Sequence, residues 1–243
     1  MKVHFRNGNG LNLCGIIDNA EINNGIGIII CHGFTGSKDS NFIPKLAEKL
    51  GEKKFLVLRF DFSGNGESGG NFKDSTYKDF DSDLSSAVDF LDGKVKKICI
   101  IGYSMGGAIA VLNSAKNIKV GCLVLISPLI KNFKRNKNKS SFFGSKQSFS
   151  FKDCMGRERQ LNAEYFKERA EYDFFEEAKK INVPALVIAA DKDETVSCRD
   201  CELFYQKLYS KKKMIVAKGQ NHYYRNELSG KLIKAIVDFV SGN

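Results

Sequence analysis

Three kinds of residue in this chain could together split an acyl bond. They are a serine at the apex of a glycine-rich turn, carboxylates after a later strand, and a histidine near the C-terminal end. Ser104 stands in Gly102-Tyr103-Ser104-Met105-Gly106-Gly107, after the β-branched run Ile98 to Ile101 and before the small apolar run Ala108 to Leu112. That order reads as strand, tight turn and buried helix. Such a turn holds its serine in a strained backbone conformation, and flanking glycines remove the Cβ atoms that would clash. The strain pushes the hydroxyl out to where a base can reach it. Alone, the pattern is a glycine-rich turn with an incidental serine. It becomes a nucleophile only if the chain also supplies a base, an acid and oxyanion donors.

The chain has three histidines. His4 falls in the first strand, and His32 closes a buried strand and reads as structural. His222, in Lys218-Gly219-Gln220-Asn221-His222-Tyr223, lies on a loop between the last strand and the last helix, where it can reach both a serine and an acid. Ala190-Asp191-Lys192-Asp193-Glu194-Thr195-Val196 offers three carboxylates after a strand. Its spacing favours Asp193, with Asp191 bracing the loop and Glu194 on the rim. The order Ser, Asp, His is that of the α/β-hydrolase arrangement. The N–H of Met105, at the start of its helix, is one oxyanion donor, and Phe34, in His32-Gly33-Phe34-Thr35-Gly36, is placed to give the second.

These residues need elements to position them. Val3 to Arg6 and Leu11 to Asp18 read as strands joined by a hairpin turn with two Asn-Gly pairs. Ile26 to Cys31, Phe55 to Phe60, Lys97 to Tyr103, Val120 to Ile126, Ala185 to Ala190 and Lys213 to Ala217 read as further strands. Apolar spacing predicts helices over 42–50, around 80–91, after Ser104, over 200–208 and over 228–240. Asp81, Asp83 and Asp89 fall off the apolar face of the second helix and are expected in solvent. The pattern is α/β, a mostly parallel central sheet flanked by helices. Residues 1–129 and 184–243 form the core, and 130–183 a lid insertion whose 161–179 stretch reads as helical. Loops at the carboxyl ends of parallel strands converge on one sheet edge, and the four loops with Phe34, Ser104, Asp193 and His222 all follow strands.

The 42% hydrophobic and 27% charged residues are those of a soluble globular chain. No run reaches the roughly 18 apolar residues of a membrane span, and the first residues lack a secretory core. Seven cysteines, an odd number with several in apolar strands, suit reduced thiols and a cytoplasmic location. Cys198-Arg-Asp-Cys201 is a single CxxC without a second ligand pair, so no metal role is assigned to it. The net charge of +10 is concentrated: residues 131–159 carry nine cations against two anions, a net of +7. A charge run of this kind is a solvated face before it is a nucleic-acid site, and no nucleic-acid partner is expected.

The set His32-Gly33-Phe34-Thr35-Gly36, Gly64-Asn65-Gly66-Glu67-Ser68, Gly102-Tyr103-Ser104-Met105-Gly106-Gly107, Asp191-Lys192-Asp193 and Gly219-Gln220-Asn221-His222 resembles the α/β-hydrolases of the esterase/lipase group. Within that group it is most similar to the small cinnamoyl (feruloyl) esterases. Asn65 stands where the family usually has histidine, Tyr103 and Met105 where the cinnamoyl esterases often have His and Gln, and Ala190 where glycine is common. The resemblance implies a serine carboxylesterase acting on small or aromatic esters, including hydroxycinnamoyl esters, with catalytic Ser104, Asp193 and His222, an oxyanion hole at Phe34 and Met105, and no metal or organic cofactor. A monoacylglycerol lipase-like, thioesterase or prolyl-aminopeptidase-like activity is the alternative within enzymes. A non-catalytic binding scaffold is the alternative outside them. The expected partner is a small-molecule ester, and a homodimer is left open.

Overall fold

The computed structural model describes residues 1–19, 25–131, 147–153 and 155–242. An eight-stranded sheet carries the molecule. Its strands are β1 (Lys2–Arg6), β2 (Asn12–Ile17), β3 (Ile26–Cys31), β4 (Leu56–Phe60), β5 (Lys97–Tyr103), β6 (Val120–Ile126), β9 (Ala185–Ala190) and β10 (Lys212–Ala217). The order across the sheet is β1-β2-β4-β3-β5-β6-β9-β10. The first two strands are antiparallel to their neighbours and the rest are parallel. Parallel strands covered on both faces read as continuous apolar runs, and β3, β6 and β9 do so.

Successive residues of a strand face opposite ways, so the sheet feeds two cores. On one face Ile29, Leu58, Ile100 and Leu125 pack with α2 (Tyr77–Leu91), α3 (Met105–Ser114), α5 (Phe174–Lys180) and α6 (Cys198–Lys207). On the other, Ile28, Val57, Ile101 and Ile188 pack with α1 (Ile43–Gly51) and α7 (Gly230–Ser241). The helix starts are written locally. Pro44 opens α1, and Thr76 and Asp79 form a reciprocal capping box on α2. No helix among the described residues is long and apolar enough to cross a membrane.

Two expectations change. Asp81 and Asp83 are buried rather than solvated. α2 has α3 on one flank and the β1–β2 turn on the other, so residues off its main apolar face are still covered. Asp83 accepts from Asn7 Nδ2 at 2.6 Å and from the Ser63 N–H at 2.7 Å, and Asp81 accepts from Asn113 Nδ2 at 3.0 Å and pairs with Lys116. Asp89 is exposed and pairs with Lys119. The inserted stretch also differs from a single helix. It contains an antiparallel hairpin, β7 (Ser148–Lys152) with β8 (Glu158–Asn162), then α4 (Ala163–Glu171) and α5. Asp173 breaks the helical run by capping α5 through the N–H groups of Phe175 and Glu176. The inserted cations Lys134, Arg135, Lys137, Lys139 and Lys146, the rings of Phe133, Phe142 and Phe143, and Cys154 lie outside the described residues.

The start of α3 comes against the sheet with almost no clearance. A Cβ on Gly102 would lie 2.6 Å from the Gly106 carbonyl oxygen, one on Gly106 2.5 Å from the carbonyl oxygens of both Cys31 and His32, and one on Gly107 2.8 Å from Pro128. Rigid backbone on the receiving side cannot yield as a side chain would. Gly106→Ala is expected to lower the unfolding free energy by about 3 kcal/mol or more, read as a shift of the urea midpoint.

Candidate active site

Ser104 sits between β5 and α3 with φ 52° and ψ −116°, a conformation L-residues rarely adopt. Its backbone is held on both sides. Its N–H donates to the Ile126 carbonyl at 3.0 Å, and its carbonyl accepts from Leu129 at 2.9 Å and from Gly107 at 3.0 Å. The side chain is 5% exposed and lies on a cavity wall with Phe34 and His222.

His222 joins the serine to the acid. Its Nε2 is 3.0 Å from Ser104 Oγ and its Nδ1 is 2.8 Å from Asp193 Oδ2. In the neutral ring the proton on Nδ1 donates to the carboxylate, which leaves Nε2 to accept the serine proton. Asp193 is fixed in turn, since its Oδ1 accepts from the N–H groups of Thr195 at 2.9 Å and Val196 at 2.7 Å. Burial raises the cost of its charge. Hydrogen bonds from His222, Val196 and Ser127 and the histidine's own charge more than offset this, and hold the carboxyl below the usual aspartate range. Asp191 takes a separate role: its Oδ1 accepts the Gly219 N–H at 2.6 Å, so the acid loop ties down the histidine loop.

The histidine loop is also pinned by two tyrosines. Tyr103 Oη donates to the His222 carbonyl at 3.1 Å. Tyr224 is fully buried, and its hydroxyl meets Ser127 Oγ at 3.0 Å. Tyr224, Arg225 and Asn226 all have positive φ, at 50°, 50° and 63°. That left-handed run turns the chain so that His222 faces the serine while Tyr224 drops into the core.

Met105 is the first residue of α3, so its N–H has no intrahelical acceptor. Phe34 follows β3 on the loop that lies against the serine. A Cβ on Gly33, beside it, would be 3.3 Å from Ser104 Cβ. His32 is fully buried and takes one tautomer. Its Nε2 accepts from the Phe62 N–H at 3.1 Å, so its Nδ1 donates to the Gly33 carbonyl at 2.8 Å. Burial pushes its pKa down, against the pull of the Gly33 hydrogen bond and of Asp61. It shapes the loop. His4 is exposed on β1, within 3.3 Å of Asn12.

Sequence reading missed the group that sets this loop. Asp61, fully buried, accepts from the Lys38 N–H at 2.6 Å, Lys38 Nζ at 3.0 Å and the Glu67 N–H at 2.9 Å. Lys38 is itself 2% exposed and also meets Glu67 at 2.6 Å and Asp39 at 3.0 Å. The signal was available: an aspartate at the end of a buried strand, followed by Gly64 and Gly66. Cys14, Asp61 and Glu67 converge as a metal cluster might, but the cation that the two acids hold is the Lys38 ammonium.

The cavity has a volume of about 730 Å³. The inserted hairpin and α4 supply part of its wall. Phe151 stacks on Phe34 with centroids 5.4 Å apart, and Tyr165 lies 5.5 Å from the same ring. Two cations of the hairpin have a partner within it. Arg157 and Arg159 both bind Asp153, at 2.8 and 3.2 Å, and Arg159 also lies over the Phe72 ring. Cys198 and Cys201 open α6 as free thiols. Burial is the main cause that raises the pKa of each.

The fold and this cavity define an α/β-hydrolase of the esterase/lipase type. The chain belongs to the serine aminopeptidase, S33 family, whose model matches residues 26–149. A Mycoplasma pneumoniae protein that carries an esterase/lipase name is 37% identical over 123 residues, covering 49% of this chain and 41% of that protein. The human serine hydrolase BPHL is 33% identical over 90 residues, covering 37% of this chain and 31% of that protein. The chain thus spans less than half the length of these curated relatives. Among solved structures, Est1E from Butyrivibrio proteoclasticus with bound ferulic acid superposes with a TM-score of 0.78 at 22% identity, covering 99% of this chain and 96% of that one. The hydrolase GrgF from Penicillium gives 0.85 at 18% identity, covering 100% and 98%. These structural likenesses carry the fold.

Two outcomes test the geometry. Asp61→Asn leaves Lys38 short of its most buried partner and is expected to cost about 3 kcal/mol of stability, while the double variant Lys38→Met/Asp61→Asn recovers part of that loss in the same urea titration. The depressed Asp193 pKa has a definite sign: its contribution is present above the ordinary value of 3.8 and is lost as pH falls through the lower folded value. The stability gap between wild type and Asp193→Asn should therefore close in acid, measured by unfolding at stepped pH.

Proposed function

We propose that this hydrolase is a serine carboxylesterase acting on small or aromatic esters. The observation that carries the reading is the continuous hydrogen-bonded line Ser104–His222–Asp193, with the serine in a strained turn at the cavity wall. Ser104 Oγ attacks the ester carbonyl as His222 takes its proton. The negative oxygen that forms is held by the N–H groups of Phe34 and Met105. The imidazolium, steadied by Asp193, then passes its proton to the leaving alcohol. Water repeats the cycle on the acyl-enzyme. The described part of the insertion, the hairpin and α4, acts as a cap that walls the substrate.

The family name raises the alternative of cleaving a peptide from its amino terminus. A pocket for an ammonium group needs a carboxylate to receive it. The two carboxylates among the described residues of this cavity wall, Asp39 and Asp153, are each already paired with two cations, Asp39 with Lys38 and Arg59 and Asp153 with Arg157 and Arg159. That favours a neutral ester. Aromatic acyl groups, hydroxycinnamoyl among them, suit the rings of Phe34, Phe151 and Tyr165, and Est1E, with its ferulic acid, shares the fold.

Wild-type protein should hydrolyse p-nitrophenyl acetate, turn over proline p-nitroanilide far more slowly, and take a fluorophosphonate label. Ser104→Ala should abolish both ester turnover and the label. Asp193→Asn should lower kcat by about 10³- to 10⁴-fold, because the imidazole is then held in the wrong tautomer. An unchanged rate in Ser104→Ala sinks the assignment.

A further inference from the structure

Asp193 has a further side-chain partner, and that partner has one of its own. Ser127 follows β6, fully buried, with φ at 40°. Its N–H donates to the Ile188 carbonyl at 2.8 Å, which ties it to β9, the strand that leads to the acid loop. Glycine takes such a backbone conformation without strain, so what serine adds at this position is its hydroxyl. That hydroxyl bonds the Asp193 carboxylate, and its oxygen lies 3.0 Å from Tyr224 Oη. An ionised carboxylate accepts and cannot donate, so the Ser127 proton goes to Asp193 and the serine oxygen accepts from Tyr224. Burial pushes the Tyr224 phenol up, so it keeps the proton it donates. Tyr224 stands two residues after His222. One loop therefore reaches the same carboxylate twice, directly through His222 and indirectly through Tyr224 and Ser127.

We infer that Ser127 and Tyr224 are positioning residues for the acid: Tyr224 aligns the Ser127 hydroxyl, and that hydroxyl holds the Asp193 carboxylate turned so that Oδ2 meets His222 Nδ1. The inference rests on the ester-hydrolase reading above and adds two residues to its machinery. Neither lines the cavity, so both act through Asp193. Each donor on a carboxylate spreads its negative charge, and one donor fewer leaves more charge facing the imidazole. The other titratable groups that bear on Asp193 are the thiols of Cys198 and Cys201 at the start of α6, and burial raises both, which keeps them neutral.

The test compares Ser127→Gly, which removes the hydroxyl and suits the positive φ, with Tyr224→Phe, which keeps the buried ring, and with the double variant. On p-nitrophenyl acetate, Ser127→Gly should lower kcat about tenfold with KM little changed. The acid limb of its pH profile should move to higher pH, because the more concentrated charge on Asp193 holds the imidazolium more tightly. Tyr224→Phe should do the same to a smaller extent, and adding it to Ser127→Gly should change neither quantity further. In the resting protein the NMR signal of the proton on His222 Nδ1, assigned by its loss in His222→Gln, should move downfield in Ser127→Gly. A merely structural role would lower the folded fraction and leave the limb and the signal in place. A limb and a signal unmoved in Ser127→Gly overturn the inference, as does a Tyr224→Phe effect of equal size with and without the Ser127 hydroxyl. If Ser127→Gly does not fold, the same two readouts on Tyr224→Phe decide, and a Tyr224→Phe protein that does not fold overturns the inference, because the phenol then serves the fold rather than the acid. The ester reading fails separately, through wild-type protein that turns over no ester, and the NMR signal then decides the positioning role without turnover.

Discussion

The structure depends on one close approach, that of the α3 N-terminus to the sheet at the turn that carries Ser104. Three glycines let backbone meet backbone there, at distances no Cβ would permit. The contact fixes the serine's conformation, and it also fixes where β3 ends relative to β5. Phe34 follows Gly33 on the loop after β3, and Met105 begins α3, so the same packing lays that loop against the serine turn. Without that approach the hydroxyl would sit lower in the turn, and the loop after β3 would have nothing to lie against.

Around this contact, carboxylates do the joining. Asp61 welds the loop after β3 to the loop after β4, Asp83 ties the β1–β2 turn to Ser63, Asp191 links the acid loop to the histidine loop, and Asp153 closes the inserted hairpin on its two arginines. The buried ones, Asp61, Asp83 and Asp153, accept from backbone N–H groups, a side-chain amide or cations, which is what makes a buried charge tolerable. The chain's large positive balance looks different in this light. In the described residues many of its cations are partners for acids rather than a surface for a polyanion.

The parallel strands were legible because each is a continuous apolar run with a turn signal after it, and their ends named the loops. Once the strand order is α/β, side chains that follow strands are gathered at one edge, so Ser104, Asp193 and His222 could be placed together from chain position alone. The buried aspartates of α2 were not legible, because a helical wheel records one apolar face and not the second neighbour that covers the flank. The hairpin at Ser148–Asn162 was hidden because its alternation mixes serine, lysine and arginine with phenylalanine, which reads as polar loop. Lys38 was hidden for a related reason: nothing local marks a lysine as interior.

The left-handed run Tyr224-Arg225-Asn226 has a thermodynamic consequence of its own. No glycine relieves it, and each such residue costs about 1–2 kcal/mol relative to a right-handed one. The run persists because Tyr224 is buried between Phe42 and Ser127. The loop is therefore a spring held by an aromatic anchor. If the anchor lifts, the backbone relaxes to its ordinary hand and swings His222 away from Ser104. Because α7 packs into the same core as that anchor, fraying of the C-terminal helix would loosen this loop while the central sheet is still intact.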